Sequence, residues 1–321
     1  MSNLKRLLLL PHIKVHNANA LSSPFTIGFP AMTAWLGAVH ALQRKLNEHG
    51  FSELKFNATA VINHHCDLQT HKGLGDNVHS IVIAKRPSFT KKELVKFNAG
   101  KAPTFIEEAR CHLEVSLVIE YTGIEKDDET LVQEKVSHLL NSKMKMAGGD
   151  ILTFKTPEFF KVESGSDKDI RTLTRKLMPG YALIERRDLM AEAMAQGQDA
   201  IDALLDYLTI HHSCKQNKDE DVKWSSSRKT KGWIIPIATG FHGLTELGEA
   251  KNQRDPEIPH RFAESVVTLG EFKMPHKLAS IDEILWSYQF EQDNNLYLCT
   301  QNQPQQLNNA EDTLANLFTN I

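Results

Sequence analysis

Basic side chains gather at three places along this chain, and that grouping is suited to holding phosphates. Lys143 and Lys145 precede Gly148 and Gly149; Arg171, Arg175 and Lys176 recur at spacings that share one helical side; Arg254 and Arg261 precede Gly270. Glycine frees backbone amides to meet a phosphate while Lys and Arg neutralise its charge. Each patch also has a plain alternative as a solvated face, because charged side chains belong mostly to the surface.

Other chemistries find weaker footing. His64, His65, Cys66 and His71 are metal-ligand types, but neighbours on a strand point to opposite faces and cannot all converge on one ion. His211, His212 and Cys214 follow a helical stretch, where such residues serve as caps. The sequence has no P-loop, GxGxxG, HExxH or GxSxG motif, so neither a cofactor nor a metal is expected. His40, on a helical stretch, has two readings: a general base on a ribose hydroxyl, or a histidine bordering the core beside Val39 and Leu36.

The elements that must position these residues follow from hydrophobic period. Leu4 to Val15 reads as a largely buried strand, and Trp35, Leu36, Val39, Leu42 and Leu46 recur at helical spacing. Phe56 to Ile62 and Cys111 to Tyr121 read as strands, Thr130 to Leu140 as a helix, and Asp150 to Phe154 as a short strand. The order β-α-β-β-α-β predicts an α+β fold with a ferredoxin-like core, the pattern of RNA-recognition modules. Its antiparallel sheet should carry helices on one face and leave the other free. Residues 1–155 form this core, with a long ordered excursion over 67–110 that holds Lys85, Arg86, Lys91, Lys92, Lys96 and Lys101. Residues 156–321 form a C-terminal extension packed on the core, with a strand at Tyr181 to Glu185 and a helix from Asp199 to Ile210. Its run 215–231 is expected as a flexible exposed loop, and an Asn/Gln-rich tail begins at Gln301.

Bulk composition bounds the function. A net charge of -3 excludes a protein that coats nucleic acid by itself, so a nucleic-acid site must be local or shared. Cys66, Cys111, Cys214 and Cys299 lack CxxC spacing and read as reduced thiols of a cytoplasmic protein. The apolar run Leu7 to Leu10 ends at Pro11, far short of the ~18 residues of a membrane span, and no membrane association is expected.

The segment Asn17-Ala-Asn-Ala-Leu-Ser-Ser-Pro24, followed by Gly28-Phe-Pro30 and Val39-His-Ala-Leu-Gln-Arg44, resembles the N-terminal signature of the second Csy protein family. His112-Leu-Glu-Val-Ser-Leu117, Ala147-Gly-Gly149, Leu173-Thr-Arg-Lys-Leu177 and Pro179-Gly180 match in order. Gly232-Trp233, Pro236, Arg261-Phe262, Leu269-Gly-Glu271 and Leu285-Trp286 complete the resemblance, while 215–231 and the tail match poorly. The resemblance implies a Cas-five-type member of the RAMP superfamily in the type I-F CRISPR surveillance complex, with 67–110 as a thumb-like insertion. Its implied role is non-catalytic: it holds the 5′ handle of the crRNA, forms a heterodimer with the large Csy subunit, abuts the repeated backbone subunit, and meets target DNA only through the complex. The alternatives are a metal-independent crRNA-processing endoribonuclease and a purely structural scaffold. Charge, glycine placement and the N-terminal signature together single out Asn17, Asn19, Ser22, Arg44, Arg110, Lys145, Gly148, Gly149, Arg175, Lys176, Arg254 and Arg261 as RNA-binding candidates.

Overall fold

The computed structural model describes residues 4–82, 92, 108–163, 166–216, 222–251, 253 and 255–301. Most of the expected thumb, together with Arg254 and residues 302–321 of the tail, lies outside them. The first half runs β1 (Leu4–Asn19), β2 (Leu21–Ser23), β3 (Thr26–Ile27), α1 (Met32–Glu48), β4 (Lys55–Leu68), β5 (Thr70–His71), β6 (Ser80–Ile81), β7 (Arg110–Thr122), α2 (Glu129–Ser142), β8 (Lys145–Met146) and β9 (Gly149–Thr153). The second half runs β10 (Glu158–Glu163), α3 (Asp167–Leu177), β11 (Tyr181–Glu185), α4 (Arg187–Ala195), α5 (Ala200–Leu208), β12 (His211–Gln216), β13 (Val222–Ser227), β14 (Ile234–Gly243), β15 (Ala263–Lys273), β16 (Trp286–Glu291) and β17 (Leu296–Gln301).

Three long-range pairings set the frame. β7 lies between β4 and β1, β9 pairs with the far side of β1, and every pairing is antiparallel. The helical period of α1 buries Met32, Trp35, Leu36, Val39, Leu42 and Leu46 against one face, beside Val136 and Leu139 of α2.

The second face differs from its expected openness. Leu7, Leu9, Ala60, Ile62 and Val118 make half of it apolar, and α3 with the turns at 275–277 and 281–284 covers that half through Leu173, Leu177, Ile281 and Ile284. This explains the unbroken burial of Leu7 to Leu10, which face covered layers on both sides. Further along β1 the pattern becomes alternating, because the second face there is polar and carries Lys14 and His16 in the open.

The C-terminal strands continue the same sheet, since β16 and β11 both pair with β4. Gln301, expected as the start of a polar tail, is instead the last residue of β17 and buried. Its side chain accepts from Glu185 N at 2.7 Å and donates to Leu183 O at 3.2 Å. Trp286 is fully buried, and its indole N–H donates to the same carbonyl at 3.0 Å. Trp286→Ala should therefore cost about 3–5 kcal/mol of stability, read as the urea midpoint of the parent against the variant. Within 215–231 the structure has a paired ribbon rather than a loop: β12 and β13 pair from His211↔Ser227 to Gln216↔Val222.

Candidate nucleic-acid interface

The end of the second face that no described residue covers is built where β1 loses its regular register. Between Val15 and Ala18 the pairing with β7 shifts, and Asn17 takes a left-handed conformation with φ 60°. Asparagine tolerates that region, and such bulges re-aim side chains. The Asn17 amide donates to His112 Nδ1 at 3.1 Å, and its carbonyl accepts from Arg110 Nη1 at 3.4 Å. Asn19 turns the chain onward, with Oδ1 accepting from Leu21 N and Nδ2 donating to Leu21 O, each at 3.1 Å.

Beside this bulge stands the β8–β9 hairpin, closed by the two residues Ala147 and Gly148 at φ 47° and 75°. Two consecutive left-handed residues make the tight turn whose twist suits paired strands, and glycine adopts it without steric cost. The Asn19 amide donates to Ala147 O at 2.8 Å, which ties the hairpin tip to β1. Gly149 sits so close that a Cβ would lie 2.7 Å from His16 O and 2.8 Å from Ala18 N, whereas a Cβ on Gly148 would meet nothing within 4 Å. The hairpin is therefore sealed on its β1 side and open on its outer side.

Around this junction the side chains form a surface suited to a polyanion with flat bases. The rings of His16 and His112 stack with centroids 4.4 Å apart, and those of His12 and His64 at 4.3 Å. Arg110 binds Glu108 at 2.5 Å, and its Nε has no acceptor among the described residues. Lys145 pairs with Asp150 at 2.6 Å, which holds the Asp150 carboxyl below its usual range. Both members of that pair are well exposed, and an exposed pair contributes so little that a phosphate can displace the carboxylate.

The structure thus brings together Asn17, Asn19, Arg110, Lys145, Gly148 and Gly149, which lie up to 132 residues apart in the sequence. Ser22 is nearby along the chain, in β2, where its hydroxyl meets Thr26 Oγ1 at 2.8 Å. Arg44 lies elsewhere, exposed on α1. Arg175 and Lys176 lie on α3, with Lys176 paired to Glu158 at 3.0 Å. Arg261 is at the end of β14–β15, where its Nη1 donates to Asn295 Oδ1 at 2.7 Å. His12, His16 and His112 join the surface although neither basic clusters nor glycine placement point to them. Their signal was the alternation His12-x-Lys14-x-His16 and His112-x-Glu114-x-Ser116, a period of two that puts polar groups on one sheet face.

A histidine network braces this surface. His64 Nδ1–H donates to Pro179 O at 2.6 Å, so its Nε2 accepts from the Ser116 hydroxyl at 2.7 Å; Ser116 Oγ in turn accepts from the His12 amide at 2.9 Å. His12 Nδ1–H reaches Glu114 at 2.7 Å. Burial, with the neighbouring His12, pushes the His64 pKa below its usual value despite the opposing Pro179 carbonyl. The imidazole is therefore held neutral in the fold. The unfolded chain binds the extra proton first, so this stabilisation is complete above the unfolded pKa of about 6.5 and is lost as pH falls from there through the folded pKa. Melting temperature should drop between pH 7 and pH 5, and His64→Gln should flatten that slope when the two melting profiles are compared.

Comparisons with known proteins add an independent line. Residues 8–299 match the family described as CRISPR-associated protein (Cas_Csy2). The chain is similar to the CRISPR-associated protein Csy2 of Pseudomonas aeruginosa (strain UCBPP-PA14), with 33% identity over 323 residues that cover 91% of this chain and 94% of that protein.

Proposed function

Since the chain belongs to the CRISPR-associated Csy2 family of the type I-F system, we propose that it is a non-catalytic RNA-binding subunit that holds the 5′ handle of the crRNA and pairs with the large Csy subunit. It is a subunit of a multi-protein CRISPR complex. The observation that carries the proposal is the convergence of Asn17, Asn19, Arg110, Lys145, Gly148 and Gly149 with the His16–His112 stack at one open end of the sheet. Single-stranded RNA is held by phosphate contacts together with stacking on flat side chains, and this junction offers both. The strand order β4-β7-β1-β9, all antiparallel and joined through α1 and α2, supports the ferredoxin-like reading of the core. Arg44, Arg175, Lys176 and Arg261 do not join this junction and carry none of the proposal.

Among the described residues no helix is long and apolar enough to cross a membrane. A cytoplasmic location, where crRNA is made, goes with the proposed role.

The endoribonuclease alternative would place the general base at His40, which stands exposed on α1 without a hydrogen-bond or ion-pair partner among the described residues. Its test is end-labelled repeat RNA incubated with the purified chain in chelator. The RNA is expected to be bound and to keep its length, and His40→Ala is expected to leave both unchanged. Shortened RNA that disappears with His40→Ala would overturn the non-catalytic reading.

A further inference from the structure

The β12–β13 ribbon, which lies within the residues that match the family, is no part of the RNA junction. It is a two-stranded antiparallel ribbon, and from His211 to Lys215 and from Val222 to Ser227 its residues are exposed. Its base is fixed to the body: Lys229 Nζ bonds Asp206 Oδ2 at 2.5 Å and Gln198 Oε1 at 3.0 Å, and lies 4.4 Å over the Tyr207 ring. A pair of strands with no core beneath it is marginally stable by itself. The sequence nevertheless sets Lys215 directly opposite Lys223, and like charges at that position destabilise a ribbon further. Neither lysine has a carboxylate partner among the described residues. The arrangement makes physical sense where an anion lies between the two.

The period of two separates the ribbon's faces. One carries Lys215/Lys223, then Ser213/Ser225 with hydroxyls 2.6 Å apart, then His211/Ser227, so it is made wholly of cationic, hydroxyl and imidazole groups. The other carries Cys214 opposite Trp224, which is 70% exposed. We infer that the β12–β13 ribbon is an arm that lays its Lys215–Lys223 face along the phosphate backbone of B-form double-stranded DNA, within the major groove. That groove is about 12 Å wide and admits a two-stranded β-ribbon, whereas the major groove of A-form RNA is too narrow for one. Donors on that face recur at roughly 7 Å, two strand residues, which matches the spacing of phosphates along a nucleic-acid strand. Asp219, Glu220 and Asp221 follow in sequence and lie outside the described residues; carboxylates oppose phosphate, so the contact is assigned to the paired strands alone.

The inference stands apart from the RNA reading, and its test keeps the two separate. Binding of the full chain to a labelled 20-base-pair DNA duplex is followed by fluorescence anisotropy from 50 to 200 mM salt. The parent is compared with a Lys215→Gln/Lys223→Gln double variant, with Trp224→Ala, and with Lys168→Gln on α3 as a control for unspecific charge. The double variant is expected to bind about tenfold or more weakly and to have a salt slope shallower by about 1.8, two phosphate contacts at about 0.9 each. Lys168→Gln and Trp224→Ala should leave the slope in place, and an A-form RNA duplex should bind independently of the two lysines. Equal slopes for the parent and the double variant would overturn the proposal. So would loss of DNA binding in Trp224→Ala alone, or a parent that leaves the duplex unbound, because the Lys215–Lys223 face would then hold no DNA.

Discussion

Alanine at Arg110 is expected to weaken the grip on handle RNA by about tenfold, or roughly 1.4 kcal/mol, while the chain stays folded. Arg110 is half-buried at the start of β7. One guanidinium nitrogen faces Glu108, a second reaches the carbonyl of Asn17 at the bulge, and Nε has no acceptor among the described residues. The two terminal nitrogens are thus held in place with N–H groups to spare, while Nε is buried away from any incoming phosphate, and a charged hydrogen bond to phosphate is among the stronger ones. Removing one phosphate contact on a single strand should also make the salt slope shallower by about 0.7. Arg175→Ala, on the exposed side of α3 away from the junction, should change neither number to a comparable extent. Equal losses for both substitutions would mean diffuse electrostatics and no site at the junction.

A larger effect on stability is expected at Gly149. The added methyl of Gly149→Ala would come within 2.8 Å of two backbone atoms of β1, His16 O and Ala18 N, and of Val15 Cγ1. Backbone cannot rotate away as a side chain can, so either β1 or the β8–β9 hairpin has to shift, at a cost of about 1–3 kcal/mol. Because the bonds from Asn17 and Asn19 run through the same stretch, that shift should also lower RNA affinity. Gly148→Ala makes the comparison informative. Its φ of 75° strains any side chain, but the space around it is open, so the cost is limited to about 1–2 kcal/mol of left-handed strain. Urea midpoints should rank parent above Gly148→Ala above Gly149→Ala.

Much of this architecture can be read from the sequence where one physical rule dominates. The alternation of Leu113, Val115, Leu117 and Ile119 fixes β7, and the 3.6-residue period of α1 fixes its buried face, because burial on one side dictates both. Leu4 to Val15 reads as a largely buried strand, but the sheet's second face is expected to be free, and what covers it over Leu7 and Leu9 is α3 and turns far along the chain, a pairing no local pattern encodes. Gln301 shows the reverse error: a residue polar by type is buried because two backbone groups of β11 satisfy its amide. The same logic governs the site. Glycine beside lysine marked the β8–β9 hairpin, and the Asn-rich segment marked the bulge, but that they meet depends on β1 lying between β7 and β9. The basic patches on α3 and at Arg261 looked equivalent in the sequence, because charge and spacing carry no information about which end of a sheet a residue reaches.

The most direct test of the central claim is to map where the RNA touches the protein. The assembled complex, carrying a handle RNA with a photoreactive base at each position in turn, is irradiated, and the cross-linked peptides are identified by mass spectrometry. Cross-links are expected in the three segments His16–Asn19, Arg110–His112 and Lys145–Asp150, which meet only at the open end of the sheet. Cross-links confined to α3 or to the end of β14–β15, with those three segments unmarked, would contradict the account.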